Sequence, residues 1–449
     1  MKKVLIVCLL SAFGLGNAQE KKWSLQECVD YAVKNNLQVI QNVYNKQIQE
    51  KNLEIAKKDK LPSVSGNISN SASFGRTQFI NSSVRNDNFS NNANVSGDIL
   101  LFNNSRLNKV IRKTGFDVEA ATYDVKTIQN NISLQIAQEY LSALLNKEIV
   151  KINQSALENA QKLYDRAKLT TEAGTTPQTT LAEATAAMAR EKQNVKAAEV
   201  NVQRNLFNLV QLLQLSEYKN FDIADVNISN QIMQPDTKAD QVLETAYELQ
   251  PQIKAAESRI QAATAQIEVT KTAFWPVISA SAGLGSFYNN LLNTNTTGVD
   301  LFGNAVYERN FFTQYSDNFG QQVALNASIP IFNKGITKVQ VEQAKINEDI
   351  AKNNLEQQKL EIRRSVQQAE FDSESNYEIF LAAQEAESSS KLALDFAEKS
   401  FAAGRSTIYD LNIARNNLAN AQGSTAQAKY NYLFSLKLLD FYAGIPLSL

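Results

Sequence analysis

Arg405 and Asp410, in the segment FAAGRSTIYDLNIARNNLANAQ at residues 401–422, are the best candidates for polar chemistry in this chain. Five positions apart on or beside one helix, they are poorly placed to pair with each other, because helical neighbours lie three and four positions apart. We therefore expect them to reach adjacent helices or subunits. Exposed charge pairs contribute about 0–1 kcal/mol each, so we expect these residues to make polar contacts that hold helices together.

The composition argues against an enzyme. The chain of 449 residues has no histidine, which is the commonest general base and metal ligand. Its carboxylates are scattered, and we find no Ser/His/Asp, Cys/His or zinc constellation and no glycine-rich phosphate loop. The 45 basic and 46 acidic residues give no argument for nucleic acid. We predict a protein without catalytic residues, cofactor, metal site or nucleic-acid partner.

The first 19 residues, MKKVLIVCLLSAFGLGNAQ, are typical of a signal peptide. Two lysines precede an apolar run, and Gly16 with Ala18 makes a small-x-small cleavage site. Cys8 follows Val7, where a lipoprotein signal needs a small residue, so no lipid anchor is expected. The mature chain then has only Cys28 and can form no internal disulfide. Its apolar runs stay below 18 residues, so no transmembrane helix is expected.

The segment at 401–422 has a diverged copy upstream, RAKLTTEAGTTPQTTLAEATAAMARE at 166–191, which aligns with it at a shift of 230 positions. Two more pairs follow the same order. KNLEIAKKDKLPSVSGNIS aligns with IEVTKTAFWPVISASAGLG, and SGDILLFNNSRLNKV aligns with NASIPIFNKGITKV, with about 16 extra residues between these anchors in the later half. Such self-similarity indicates duplication. We predict two repeats, residues 20–236 and 237–449.

Each repeat reads as a helix, a strand hairpin and two long helices. Ser24 and Glu27 predict a capping box, and Pro62 ends the first helical pattern. Residues 63–75 and 88–100 alternate with period two, which predicts strands, and we place the hairpins at 63–101 and 277–331.

The run between Gly335 and Gly404 lacks glycine and proline and predicts a helix of roughly 100 Å. Apolar residues at coiled-coil spacing follow each later glycine. They are Leu181, Ala184, Met188, Glu191, Val195, Ala198, Val202, Asn205, Leu209 and Leu212, and Leu411, Ala414, Leu418, Ala421, Thr425, Ala428, Tyr432, Ser435, Leu439 and Tyr442.

The strands have one face of serine and asparagine, which suits a water-filled lumen, and one apolar face, which suits lipid. Four strands cannot close a barrel, and an open edge in lipid leaves backbone groups unsatisfied. Several copies must then share one barrel, and eight strands from a dimer or twelve from a trimer both satisfy closure. Because an eight-stranded barrel is filled by side chains, a conduit needs at least three copies.

The paired halves, the Pro62 and Pro276 junctions, the LLFNN and PIFNKG turns and the segment FAAGRSTIYDLNIA together resemble the TolC family of outer-membrane efflux proteins. The resemblance implies a mainly α fold with a small membrane β part, namely a trimeric twelve-stranded barrel and a periplasmic coiled-coil tunnel. It implies the outer membrane of a Gram-negative bacterium, with hairpin loops near 76–88 and 290–318 outside. It also implies a periplasmic adaptor protein and an inner-membrane RND or ABC transporter as partners, and export of small molecules or polypeptide.

In that family the helix-to-helix turns form a closed iris and the surface that an adaptor engages. The resemblance places these roles on Gly174, Thr175, Thr180, Gly404, Arg405, Asp410 and Ile413. The chain departs from the family pattern at three positions. The family often has an aspartate where this chain has Ile413, and the first-half counterpart of Asp410 is the uncharged Thr180. Arg405 lies one position before the arginine of the best-known family member. The polar lock is therefore expected to be thinner than usual.

A different class of function stays open from the residues alone. Long heptad helices with a small sheet also fit a periplasm-spanning structural coiled coil without transport activity. Single-channel conductance separates the two hypotheses, because only a conduit carries current. Met188 and Met233 are the only mature methionines, which disfavours a methionine-lined metal path.

Overall fold

The computed structural model describes residues 22–79, 82–85, 87–226, 238–292, 296–299, 302, 305–307, 310–445 and 447. The predicted signal peptide and Met233 lie outside the described residues. The chain divides into two compact units, residues 1–46, 120–256 and 354–449 (unit 1) and residues 47–119 and 257–353 (unit 2). None of the described helices has the length and apolarity needed to cross a membrane.

The helices are α1 (Leu25–Asn35), α2 (Leu37–Lys58), α3 (Arg106–Glu172), α4 (Gln178–Leu213), α5 (Ala239–Leu249), α6 (Pro251–Lys271), α7 (Phe311–Asp317), α8 (Ile336–Ala402) and α9 (Ile408–Tyr442), with a 3₁₀ turn at Thr272–Phe274. The strands are β1 (Lys22–Trp23), β2 (Ser63–Ser73), β3 (Arg76–Phe79), β4 (Ser82–Arg85), β5 (Asn88–Phe102), β6 (Asp222–Ile223), β7 (Val277–Leu291), β8 (Thr296–Val299), β9 (Ala305–Tyr307) and β10 (Gly320–Ser328). The order of helix, strands and two long helices in each half agrees with the sequence analysis.

Local polar contacts set the starts of the helices. The predicted capping box is present, since the Glu27 amide donates to Ser24 Oγ at 3.2 Å and the Ser24 amide donates to Glu27 Oε2 at 2.9 Å. Helix α3 starts at Arg106, whose amide donates to Asn103 Oδ1 at 3.0 Å, and Gly115 lies inside the helix.

The first helical stretch of each half is divided, where the sequence predicts one helix. Asn36 and Gln250 end α1 and α5 in extended conformations and are both buried. In the second half the following residue is Pro251, which disfavours helical backbone at the residue before it. In the first half the Leu37 amide donates to Gln214 Oε1 at 3.0 Å. The same break therefore has two different local causes.

The core of unit 1 surrounds a short parallel pairing of β1 with β6. The hydroxyl of the buried Tyr140 lies 3.1 Å from the Trp23 carbonyl oxygen and 3.2 Å from that of Ala224. The Lys147 ammonium lies 2.6 Å from Asp222 Oδ1 and donates to the Ile223 carbonyl at 2.9 Å. These contacts fix both ends of the first repeat to α3.

The predicted coiled-coil seams are confirmed, because every residue of the two heptad series is buried or half-buried in its helix. Polar seam residues also bond across. Thr425 Oγ1 donates to the Ala383 carbonyl of α8 at 3.1 Å, and Asn146 Nδ2 of α3 donates to Asn205 Oδ1 of α4 at 3.2 Å. Each long helix thus packs along the helix that follows it.

In unit 2, β10, β7, β5 and β2 form one antiparallel sheet in that order. Ser63 pairs with Asp98 and Ser73 with Asn88, so the small polar residues of β2 and β5 share a face, as predicted. The other face is mainly apolar. Its apolar members are Val64, Ile68, Ala72, Phe89, Ala93, Val95, Ile99, Ile278, Ala280, Ala282, Leu284, Tyr288, Val323, Leu325 and Ala327. Strands β2 and β10 are the edges of this sheet.

The turns before α3 and α8 provide a matched test of the duplication. Ser105 and Gly335 are equivalent at the shift of 230, and both have left-handed backbone, with φ of 56° and 76°. A Cβ on Gly335 would meet nothing within 4 Å, so only backbone conformation distinguishes the two residues.

We expect Ser105→Gly to stabilise the protein by up to about 1 kcal/mol, because glycine adopts positive φ without a steric penalty. Gly335→Ser should destabilise it by about 1 kcal/mol. The midpoint of thermal unfolding in detergent checks both variants. Shifts in the same direction would contradict an equivalent backbone requirement in the two halves.

Candidate functional site

The two helix-to-helix turns of unit 1 have the same backbone design. Gly174 and Gly404 follow α3 and α8 with φ of 71° and 70°. In each turn the glycine amide and the next amide bond back to the helix end, as in a Schellman motif. The bonds are Gly174 to Thr171 at 3.0 Å, Thr175 to Thr170 at 2.9 Å, Gly404 to Phe401 at 3.0 Å and Arg405 to Ser400 at 2.9 Å. We call residues 170–180 and 400–410 the paired turns.

The paired turns differ in how the next helix begins. Thr407 caps α9, and Asp410 accepts from the Thr407 amide at 2.9 Å and from Thr407 Oγ1 at 2.7 Å. These bonds hold the pKa of Asp410 below its ordinary value. Asp410 is therefore held by the N-cap of its own helix. Its spacing from Arg405 had instead predicted a contact with an adjacent helix or subunit. At the equivalent position, Pro177 begins α4 without a side-chain cap.

Thr407→Ala should loosen the first turn of α9, because loss of an N-cap costs about 1 kcal/mol. We expect amide hydrogen exchange at residues 408–411 to become about fivefold faster, which corresponds to that energy. Thr179→Ala, an exposed threonine at the start of α4, is the matched control. Equal exchange in both variants would show that the cap contributes nothing.

The helix ends beside the paired turns pack against each other. Ala167, Ala184 and Ile408 form a small buried core, and Tyr164, Leu181 and Phe401 pack on it. The Arg166 guanidinium lies 5.8 Å from the centre of the Phe401 ring. The diverged copies at 166–191 and 401–422 are therefore brought together in space.

Arg415 joins three helices beside this core, and sequence reasoning missed it. Its Nη2 lies 2.9 Å from Glu398 Oε1 of α8, and its Nη1 donates to the Asn159 carbonyl of α3 at 3.3 Å. Its Nε is buried and has no hydrogen-bond partner among the described residues. We call Arg415, Glu398 and Asn159 the Arg415 bridge. Helical spacing gives no signal for it, because its members lie on three different helices.

A cavity of about 300 Å³ lies between α3, α4 and α9, next to the Arg415 bridge. Its alanine-rich wall is surrounded by charged and amide groups. The side chains with functional groups are Glu183, Arg190, Glu191, Tyr409, Asn412, Arg415 and Asn416. No group of residues in the described part of the chain could hold a metal ion.

The seven predicted site residues occupy distinct places around this region. Gly174, Thr175, Gly404 and Arg405 form the turns, and the Arg405 side chain is exposed. Asp410 caps α9, Ile413 lines the cavity, and Thr180 is half-buried in the first turn of α4. Their roles as iris or adaptor contacts stay predictions.

The profile of the outer membrane efflux protein family matches residues 29–214 and 242–444. The chain belongs to this family. The family consists of channel-forming proteins of the outer membrane and not of enzymes, which confirms the expected class. The outer membrane with a large periplasmic part, the predicted localisation, is confirmed as well.

Among its relatives in the outer membrane efflux protein family, outer membrane protein TolC of Escherichia coli strain K12 is 26% identical over 321 residues. The match covers 71% of this chain and 62% of that protein, so the chain spans about three fifths of the length of this relative. The pyoverdine export outer membrane protein OpmQ of Pseudomonas aeruginosa is 26% identical over 225 residues, 49% of this chain and 41% of that protein.

Solved structures of family members share the fold. The structure of CusC matches with a TM-score of 0.74 at 18% identity, over 94% of this chain and 92% of that one. The Campylobacter jejuni CmeC outer membrane channel matches with a TM-score of 0.73 at 19% identity, over 94% and 85%. The predicted fold class, mainly helical with two repeats and a small β part, is confirmed.

Proposed function

We propose that the chain forms the outer membrane conduit of a multi-component efflux or type I secretion assembly. The conduit exports small molecules or polypeptide from the periplasm and an inner-membrane transporter to the exterior. The observation that carries this proposal is the sheet β10–β7–β5–β2, which has two open edges, one polar face and one exposed apolar face.

The two open edges of the sheet must pair with strands from other copies of the chain. Each unsatisfied backbone group in lipid costs several kcal/mol, so β2 of one copy must pair with β10 of the next. Two copies would give eight strands, a barrel that side chains fill, whereas three copies give twelve strands and room for a pore. We therefore propose a homotrimer, as in the family that the sequence resembles.

The faces of the sheet support a lumen inside and lipid outside. Val64, Ile68 and Val323 on the apolar face are 74%, 74% and 85% exposed, which is unfavourable in water and favourable in a bilayer. On β2 and β5 the opposite face has serine, asparagine and one charged residue, Asp98. Such a lumen solvates passing cargo without selecting strongly for charge. The hairpin tips, near 76–88 and 290–318, lie outside the cell in this proposal.

The paired turns are the proposed periplasmic end. Gly174, Thr175, Thr180, Gly404, Arg405, Asp410 and Ile413 serve there as iris residues or as contacts for a periplasmic adaptor protein, and an RND or ABC transporter completes the assembly. The packed Ala167–Ala184–Ile408 core and the cavity beside it support this placement, because they combine a stable closed contact with an exposed polar rim. The repeat boundaries 20–236 and 237–449 belong to the same proposal.

The test combines assembly and conduction. Protein extracted in detergent should have a protein mass of about 150 kDa, which is three times 49.9 kDa. The same preparation should show single-channel conductance in planar bilayers. A stable monomer that conducts would overturn the shared barrel, and a trimer without conductance would favour a structural coiled coil that spans the periplasm.

A further inference from the structure

Helix α7 (Phe311–Asp317) lies against the apolar face of the sheet, within the segment 290–318 that connects β7 to β10. Its N-cap is Asn310, which accepts from the Thr313 amide at 2.8 Å. Four contacts hold it on β5 and β7. Ser286 Oγ donates to the Tyr315 carbonyl at 2.7 Å, the Asn289 amide to Gln314 Oε1 at 3.1 Å, Gln314 Nε2 to the Asn289 carbonyl at 3.0 Å, and the Tyr315 hydroxyl to Asn91 Oδ1.

The helix lies where the apolar face becomes polar. Towards the hairpin tips this face has Asn70, Asn91 and Ser286, in place of the valine, isoleucine and leucine of the strand bases. Asn91 Nδ2 donates to Asn70 Oδ1, and Tyr315 and Ser286 supply the remaining contacts between helix and sheet. This cluster of amide and hydroxyl groups beside aromatic rings is typical of the level at which the hydrocarbon ends and hydrated headgroups begin.

The side chains of α7 have the composition of a membrane interface. The Phe311 ring stacks on Tyr315 at 4.6 Å and lies 5.1 Å from Tyr288, and Tyr288 lies 6.2 Å from Phe89. The Phe312 ring lies edge-on to Phe311, with 5.5 Å between the ring centres, and is 81% exposed at the rim of this cluster. Aromatic side chains concentrate at the boundary between headgroups and acyl chains, where the ring is buried and polar groups are hydrated.

We propose that α7 is an interfacial element that seats the protein in the outer leaflet of the membrane, with Phe312 inserted at the level where headgroups meet acyl chains. The inference rests on the proposed function, in which the apolar face meets lipid and the hairpin tips lie outside. The partner of this surface is the lipid layer itself. The hydrogen bonds of α7 to β7 fix the position of the helix along the strands, beside the apolar face of the sheet.

A fluorescent bimane label on Phe312→Cys, in vesicles of phosphatidylcholine brominated either near the headgroup or at the middle of the acyl chain, tests the depth. Cys28 is buried, so unmodified protein gives the labelling background. A label on Val323→Cys reports the depth of the apolar face of the sheet. A label on Gln322→Cys, the adjacent residue on the opposite face, reports the lumen. Ser316→Cys, one turn from Phe312, is a second reporter if Phe312→Cys fails to fold.

We expect the label at residue 312 to lose more fluorescence to the shallow bromine than to the deep one, the label at 323 to lose more to the deep one, and the label at 322 to lose little to either. An unquenched label at 312 beside a quenched label at 323 would overturn the interfacial role while leaving the barrel intact. A label at 312 that is shielded from both bromine and aqueous iodide would show that a second copy covers α7, and would also overturn it. An unquenched label at 323 would instead contradict the proposed function.

Discussion

Val323→Lys should abolish accumulation of the assembled protein in the outer membrane, whereas Gln322→Lys should be tolerated. The two residues are adjacent in β10, and their side chains lie on opposite faces of the sheet. A lysine on the lipid face near the middle of the bilayer costs about 2–4 kcal/mol, and a lumen position avoids this cost. If several copies share one barrel, as proposed, each contributes one lysine, and the cost is multiplied by the number of copies.

The measurement is the amount of heat-resistant oligomer in outer membrane fractions, normalised to total protein. We expect a fall of more than tenfold for Val323→Lys, because 1.4 kcal/mol already corresponds to a factor of ten. Val323→Leu, which keeps an apolar side chain, controls for packing. Equal losses for lysine at 322 and 323 would mean that the apolar face does not meet lipid.

Arg415→Ala should raise the resting conductance of the channel and sensitise cells to large antibiotics such as vancomycin. The Arg415 side chain is 21% exposed and links α9 to both Glu398 and Asn159. Solvent screening limits the bridge to about 1 kcal/mol in each copy, since the Glu398 side chain is 50% exposed. If three copies assemble as proposed and the bridge is present only in the closed state, three bridges favour that state by about 3 kcal/mol, so their loss should increase the open fraction more than tenfold.

Two further variants separate geometry from charge. Arg415→Lys keeps the charge but lacks the planar guanidinium that reaches two acceptors at once, so it should behave like alanine. Arg405→Ala removes an exposed arginine from the same region and should have a smaller effect. Unchanged resting conductance with lost efflux in Arg415→Ala would assign the bridge to adaptor docking and not to closure.

Features with a regular period were predictable from the sequence. The alternation in β2 and β5 predicted which residues share a face, because successive strand residues point to opposite sides. The heptads from Leu181 and Leu411 predicted both seams, because a seven-residue apolar repeat keeps one helix face against its partner. In each case residues of one kind recur at a fixed spacing, so the sequence alone shows which face of the strand or helix they share.

Features that depend on one contact between distant residues were not predictable. The Arg415 bridge needs the relative rotation of α3, α8 and α9, which no single-helix pattern contains. Helix α7 has seven residues, too few to show an apolar period, and two of its four bonds to the sheet go to the backbone of Asn289, which has no side-chain signature. Asp410 was singled out for its charge, but the threonine three positions earlier decides its role as a cap.

The unequal starts of α4 and α9 have a consequence for symmetry. If three copies assemble as proposed, the paired turns form a ring of six similar positions, and the pseudo-sixfold order alternates between a Pro177 start and a Thr407 start. The capped positions are held by hydrogen bonds between Thr407 and Asp410, and the uncapped ones have no side-chain cap. A ring of identical binding modules docking there would meet two chemically different kinds of site, so its modules would bind with two affinities and would be displaced in two steps.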